Sequence, residues 1–216
     1  TATQIVAGNY HACALLNTGR VKCWGLNDYS IPGIGASGAL GLGDITGNKA
    51  KIGDQANEMG DYLQAVDLGT NDAGEDYTVT SIDTFNAHTC AILEDGKVKC
   101  WGNNEYGNLG LGDTDHRGDN AGEMGDDLNA VELGTNRTAV RLSVGNGSNC
   151  VVLDNKDIKC WGPGDSYRTG YEDIQIRGDD GGADMGDNLF PIDLSDLDAP
   201  SGLAINGSNP DTTDAP

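Results

Sequence analysis

Three segments of this chain spell the same short pattern: a strand, a tight turn and a second strand, with a cysteine on each arm. They are HACALLNTGRVKCWG (11–25), HTCAILEDGKVKCWG (88–102) and SNCVVLDNKDIKCWG (148–162), and together they hold all six cysteines. A unit that recurs in register cannot bury its apolar face alone. It therefore limits the chain to stacked copies of one supersecondary element.

The hairpin can be counted out. A three-residue loop at Asn17-Thr18-Gly19, with the glycine left-handed, sets Leu15 opposite Val21 and Cys13 opposite Cys23. The same count sets Cys90 opposite Cys100 and Cys150 opposite Cys160. Each pair falls at a non-hydrogen-bonded position, where Cα atoms approach to about 4.5 Å, within disulfide reach. In the third copy Lys156 replaces the loop glycine, so that turn is expected to be strained or different. Three disulfides within the repeats follow, each worth roughly 2–3 kcal/mol by loop entropy. The alternatives are six reduced thiols or a zinc site, but zinc usually wants CxxC-type pairs and none occurs.

Structural disulfides persist in oxidising surroundings, so the expected location is extracellular or the cell surface. Sequons at Asn136, Asn146 and Asn206 are candidate glycosylation sites in that setting. The chain starts Thr1-Ala2-Thr3 without a methionine, and the expectation is that a leader or further protein was removed upstream. No apolar stretch long enough to span a membrane is read, and no membrane insertion is expected. A net charge of −21 and a pI near 4.1 argue against nucleic acid and anionic membranes, both of which need a basic footprint. The same balance suits solubility, a cation, or a partner with a basic face.

Aligned on the first cysteine, repeat one spans 1–77, repeat two 78–137 and repeat three 138–197. Residues 198–216 read as an acidic Pro/Gly/Ser linker or tail. Each repeat opens with an alternating strand: TQIVAG (3–8), TVTSID (78–83) and AVRLSVG (139–145). After the hairpin come LGLGD (40–44, 109–113), a GD-x3-[E/D]-MGD element, and an apolar strand at 65–69, 130–134 or 191–195. The expected fold is all-β: three four-stranded propeller-type blades with intra-blade disulfide hairpins, in an incomplete propeller or open repeat array. Repeat one carries loop insertions. Repeat three is divergent, with Thr169 and Tyr171 where repeat two has Leu109 and Leu111, and reads as a capping repeat.

These residues resemble the regulator-of-chromosome-condensation repeat family, whose pattern joins an H-[ST]-x-AL-like strand, an x-DG-x turn, a V-x-x-WG strand and LG-x-G. His88-Thr89, Asp95-Gly96, Trp101-Gly102 and Leu109 to Asp113 carry the match, as do His11, Gly19, Trp24-Gly25 and Leu40 to Asp44. Repeat three keeps Trp161-Gly162 but lacks the histidine, the turn glycine and both leucines. The resemblance implies one β-propeller blade per repeat, and the cysteine pair is similar to a disulfide-bearing extracellular branch. The family usually closes a seven-bladed ring, which three blades cannot do. Copies would then join into a multi-subunit ring, or stack head-to-tail into a filament.

The acidic element supplies three candidate carboxylate sets: Asp54, Glu58 and Asp61; Asp119, Glu123 and Asp126; Asp179, Asp184 and Asp187. Hard oxygen ligands on glycine-rich loops suit Ca²⁺. The alternative is a repeated turn whose acids cap their own backbone, with Met59, Met124 and Met185 filling the core. Trp24, Trp101 and Trp161 read as core side chains beside their disulfides. The catalytic inventory is thin: His11 and His88 share one repeat slot, His116 is the third histidine, and no nucleophile or phosphate-loop motif occurs. The expected function is a non-enzymatic structural or interaction protein that self-assembles into a filament, coat or multi-subunit ring. The alternative is an extracellular module binding a protein or glycan through its acidic loops.

Overall fold

The computed structural model describes residues 1–28 and 38–194. Its strands fall in chain order as β1 (Ala2–Ala7), β2 (His11–Leu16), β3 (Val21–Leu26), β4 (Lys51–Ile52), β5 (Val79–Phe85), β6 (His88–Leu93), β7 (Val98–Gly102), β8 (Ala139–Val144), β9 (Asn149–Leu153) and β10 (Ile158–Trp161). They form three antiparallel meanders, ordered β1-β2-β3-β4, β5-β6-β7 and β8-β9-β10. We call these blades 1, 2 and 3. Among the described residues the only helices are short 3-10 turns.

The counted hairpin register is the observed one. Leu15 pairs with Val21 and Cys13 with Cys23, and the other two blades repeat this at Cys90–Cys100 and Cys150–Cys160. All three pairs are disulfides, each with Cα atoms 4.1 Å apart. The third turn keeps the same shape despite its lysine. Lys156 is left-handed at φ 75°, beside 76° for Gly19 and 80° for Gly96. Its amide donates to the Leu153 carbonyl as those of Gly19 and Gly96 do to Leu16 and Leu93.

The fourth strand lies elsewhere than the sequence pattern placed it. In blade 1 it is Lys51–Ile52, paired with Gly25 and Leu26. In blades 2 and 3 a single bridge takes its place, Gly102 with Arg117 and Gly162 with Arg177. The apolar segments expected as fourth strands run as extended wedges. Val66, Val131 and Ile192 each donate one backbone hydrogen bond, to Val21, Val98 and Ile158, at 2.8 Å. The Asp67 and Glu132 carbonyls then accept from Gly125 and Gly186 of the following blade. Alternating burial at Val66 and Leu68 thus reflects packing between two blades instead of a ladder.

Among the described residues, the two large cores lie between the blades, not inside them. The front face of blade 1 (Cys13, Leu15, Val21, Cys23, Leu40) meets the rear face of blade 2 (Ile82, Ala91, Leu93, Trp101). The front face of blade 2 (Cys90, Ile92, Val98, Cys100, Leu109) meets the rear of blade 3 (Val151, Leu153, Trp161, Met185). Because side chains alternate across a strand, each sheet contributes its cysteines forward and its tryptophan backward.

Candidate interaction faces

The contacts between blades repeat as a set. Trp101 of blade 2 reaches back to donate its indole N–H to the Ala39 carbonyl at 3.1 Å, and Trp161 does the same to Asn108 at 3.0 Å. Lys99 is buried and donates to the carbonyls of Leu68 in blade 1 and Gly125 in its own blade, at 2.8 and 2.9 Å. Lys159 repeats this with Leu133 and Gly186. Burial pushes both ammonium groups below the usual lysine range. Neither lysine stands out in the sequence, although both lie in the repeated KCWG.

His11 and His88 also connect blades, in the forward direction. His11 Nε2 lies 3.0 Å from the Thr89 hydroxyl and 2.9 Å from that of Thr84. Thr84 donates to the His88 carbonyl and Thr89 donates to Thr84, so each hydroxyl proton is used and His11 Nε2 carries the N–H. His88 Nε2 lies 3.0 Å from Asn149 Oδ1 of blade 3. Burial, with His88 nearby, holds His11 at about 4. His116 acts locally: its Nδ1 accepts from the Asn104 amide at 3.0 Å.

Five of the nine candidate calcium ligands do one of two jobs. Glu58 Oε2 accepts from the amides of Gly53, Asp54 and Gln55, and Glu123 Oε2 from those of Gly118, Asp119 and Asn120. Asp184 accepts from Gly178. These are carboxylates closing their own turns. Asp126 and Asp187 instead fasten blades, accepting from the backbone and hydroxyl of Thr70 and Thr135 in the preceding blade. Asp54 pairs with Lys51 at 2.5 Å, Asp61 is exposed, and Asp179 lies half-buried. Among the described residues no group of three or more acidic, histidine or cysteine side chains converges as a metal site. Of the sequons, Asn136 and Asn146 are exposed, and Asn206 lies outside the described residues.

Two sheet faces have no blade against them among the described residues. The rear face of blade 1 presents the side chains that blades 2 and 3 bury. Ile5 is 68% exposed where its counterpart Ile82 is 0%, and Met59 is 41% exposed where Met185 is 2%. Trp24 is half-buried while Trp101 and Trp161 are fully buried. The front face of blade 3 carries Val152, Ile158 and the Cys150–Cys160 disulfide. Beside it, the Arg177 guanidinium sits 4.1 Å over the Tyr171 ring, and the Tyr171 hydroxyl accepts from the Cys160 amide. A groove of about 550 Å³ with mixed polar and apolar walls runs between the rims of blades 2 and 3, lined by Tyr106, Asn108, Asn146, Arg168, Ile174 and Ile176 among others.

Three meander blades interlocked in this way are similar to the blades of propellers built from regulator of chromosome condensation (RCC1) type repeats. The RCC1 repeat pattern matches residues 2–30 and 80–108. Protein pim1 of Schizosaccharomyces pombe is 30% identical over 179 residues, 79% of this chain and 29% of pim1. The ultraviolet-B receptor UVR8 of Arabidopsis thaliana is 34% identical over 114 residues, 53% of this chain and 20% of the receptor. Among solved structures, human WBSCR16 superposes with a TM-score of 0.62 at 17% identity, over 83% of this chain and 40% of that one. Yeast RCC1 (Prp20), solved with Kap60, superposes at 0.56 and 16% identity, over 91% and 38%. The chain spans less than a third of the length of the curated relatives it matches.

Proposed function

We propose that this chain is a binding scaffold instead of an enzyme: three disulfide-locked blades of a longer, open array of propeller-type blades, held in an oxidising, extracellular or cell-surface setting. The observation that carries the reading is the rear face of blade 1. It keeps Ile5, Trp24 and Met59 open, whereas their counterparts Ile82, Trp101, Trp161 and Met185 are buried and Met124 and Leu142 half-buried against the blade before them. A further blade of the same repeat type would bury those three in the same way, and would offer Trp24 the carbonyl that Ala39 and Asn108 offer Trp101 and Trp161. The shares covered in the two solved propellers, 40% and 38%, leave room for such blades. Partners beyond the propeller are proteins in this reading. Yeast RCC1 is seen with Kap60 bound, and Prp20p is described with its binding to Gsp1p and histones. Three disulfides support the oxidising setting.

Sedimentation velocity of the full chain, alone and mixed with RCC1-type blade arrays, tests the proposal. Association that Ile5→Asp removes, with disulfides and circular dichroism unchanged, is the expected result. A chain that stays monomeric in every mixture sinks it. A second reading is favoured by the groove between blades 2 and 3, whose tyrosine, asparagines and arginine suit a glycan. A glycan array without hits argues against that one.

A further inference from the structure

The two blade junctions share a detail that concerns the opposite end of the stack. Each of blades 1 and 2 holds four left-handed glycines along its front: Gly19, Gly38, Gly41 and Gly43, then Gly96, Gly107, Gly110 and Gly112. The following blade sits where their side chains would be. A Cβ on Gly19 would lie 2.6 Å from the Thr78 Cβ, and one on Gly96 2.5 Å from the Thr138 Cβ. At Gly38 it would lie 2.2 Å from the Gly118 carbonyl carbon, and at Gly107 2.9 Å from the Asp179 amide nitrogen. At Gly112 it would lie 2.9 Å from the Gly182 amide nitrogen. Gly43 is looser, with 3.4 Å to the Asn120 carbonyl oxygen. Most of these neighbours are backbone and cannot rotate away.

Blade 3 keeps one of the four, Gly170 in the place of Gly41 and Gly110, and has Lys156, Tyr167 and Glu172 at the other three. All three remain left-handed, at φ 75°, 58° and 60°, so their side chains leave the sheet in the direction the glycines keep empty. All three are exposed, Tyr167 to 64%. The forward histidine is also replaced, since Ser148 stands where His11 and His88 bridge to the next blade.

We infer that the front face of blade 3 is closed to any blade docking in the mode that joins blades 1 to 2 and 2 to 3, and that Lys156, Tyr167 and Glu172 close it. The stack is directional: its rear face is built to receive a blade and its front face to refuse one. Head-to-tail stacking of copies, front of blade 3 on rear of blade 1, is refused by the same side chains. The filament or ring of copies expected from the sequence therefore has no such junction.

The test leaves the rear face untouched, so it fails or succeeds independently of the proposed function. Residues 134–194 are inserted a second time between Leu194 and Ser195 of the full chain. This follows blade 3 with a blade whose rear face is known to dock. Two versions are compared, one natural and one carrying K156G, Y167G and E172G in the first copy only. In the natural version the added blade stays undocked, its tryptophan emits as solvent-exposed, and limited proteolysis removes it first. In the glycine version it docks, the emission shifts to the blue, and its cleavage slows by about tenfold or more. Equal protection in both versions overturns the inference, and so does equal exposure in both.

Discussion

The junction between blades 1 and 2 and the front face of blade 3 are made from one backbone, yet one is an interface and the other an end. At the junction, Trp101, Lys99, His11 and Asp126 all reach across, and glycines clear the path for them. At the end, the disulfide and strand register persist unchanged, while the forward histidine and all but one of the clearing glycines are replaced, Gly170 alone remaining. What makes a blade stackable is therefore separate from what makes it a blade. The hairpin and its disulfide are local. Stacking depends on a handful of positions that do nothing inside their own sheet.

The largest effect expected from that separation is at the tryptophans. Trp101→Ala removes a fully buried side chain and leaves the Ala39 carbonyl without its donor, for a loss of roughly 3–5 kcal/mol in urea unfolding. Trp24→Ala, on the open rear face, is expected to cost about 1–2 kcal/mol. Equal losses would mean that the local sheet, not the junction, holds the indole.

Acid is expected to act on the junction next. His11 titrates at about 4 in the folded chain against 6.5 for a free imidazole, because burial and the nearby His88 oppose its charge. The unfolded chain takes up the proton first. Stability is whole above pH 6.5 and falls as pH drops toward about 4, by about 3 kcal/mol from this residue. His88 is shifted in the same direction, chiefly by burial, and adds to the slope. His11→Gln keeps an N–H donor without a titrating proton and should flatten the dependence of unfolding free energy on pH. A slope unchanged in that variant would clear His11 of the effect.

The disulfides sharpen the comparison between local and junction energies. The Cys90–Cys100 and Cys150–Cys160 rings have the same sequence separation of 10, so loop entropy assigns each about 2–3 kcal/mol. Cys90 and Cys100 are also fully buried against blade 3, whereas Cys150 is only half-buried. The double alanine variant of blade 2 should lose more than that of blade 3, the excess measuring the cavity opened at the junction. Equal losses would confine the disulfide's contribution to the hairpin.

The same division explains what could be read without coordinates. The hairpin register, the cysteine partners and the opening strands follow from nearest-neighbour counting, and counting succeeds because a strand's period is fixed. The fourth strand did not follow. The alternation in residues 65–69 looks like a ladder, but it arises from a wedge between two sheets, which no local pattern distinguishes. The carboxylates of the GD-x3-[E/D]-MGD element repeat visibly, yet their split into turn closers (Glu58, Glu123) and blade fasteners (Asp126, Asp187) depends on Thr70 and Thr135, distant in the chain. The missing glycine at Lys156 was legible as an oddity of one turn. Its companions at Tyr167 and Glu172 acquire meaning only when the Cβ of Gly107 or Gly112 is seen to strike the next blade.

Lys156 offers the finest test, because stability and stacking should respond to it in different ways. A lysine held left-handed costs about 1–2 kcal/mol of backbone strain, part of which glycine would return in unfolded-state entropy. The Asn155 and Asp157 side chains steady this turn, with Asn155 Nδ2 donating to Asp157 at 2.7 Å and Asn155 Oδ1 accepting from its amide. Lys156→Gly in the natural chain is therefore expected to raise stability by about 0.5–1 kcal/mol, read from the urea midpoint at unchanged slope. In blade 2 the mirror change, Gly96→Lys, meets both the strain and Thr138 at the junction. It should cost clearly more than Lys156→Gly gains. If the two changes prove equal and opposite, backbone strain alone governs the position, and the following blade takes no part in requiring glycine there.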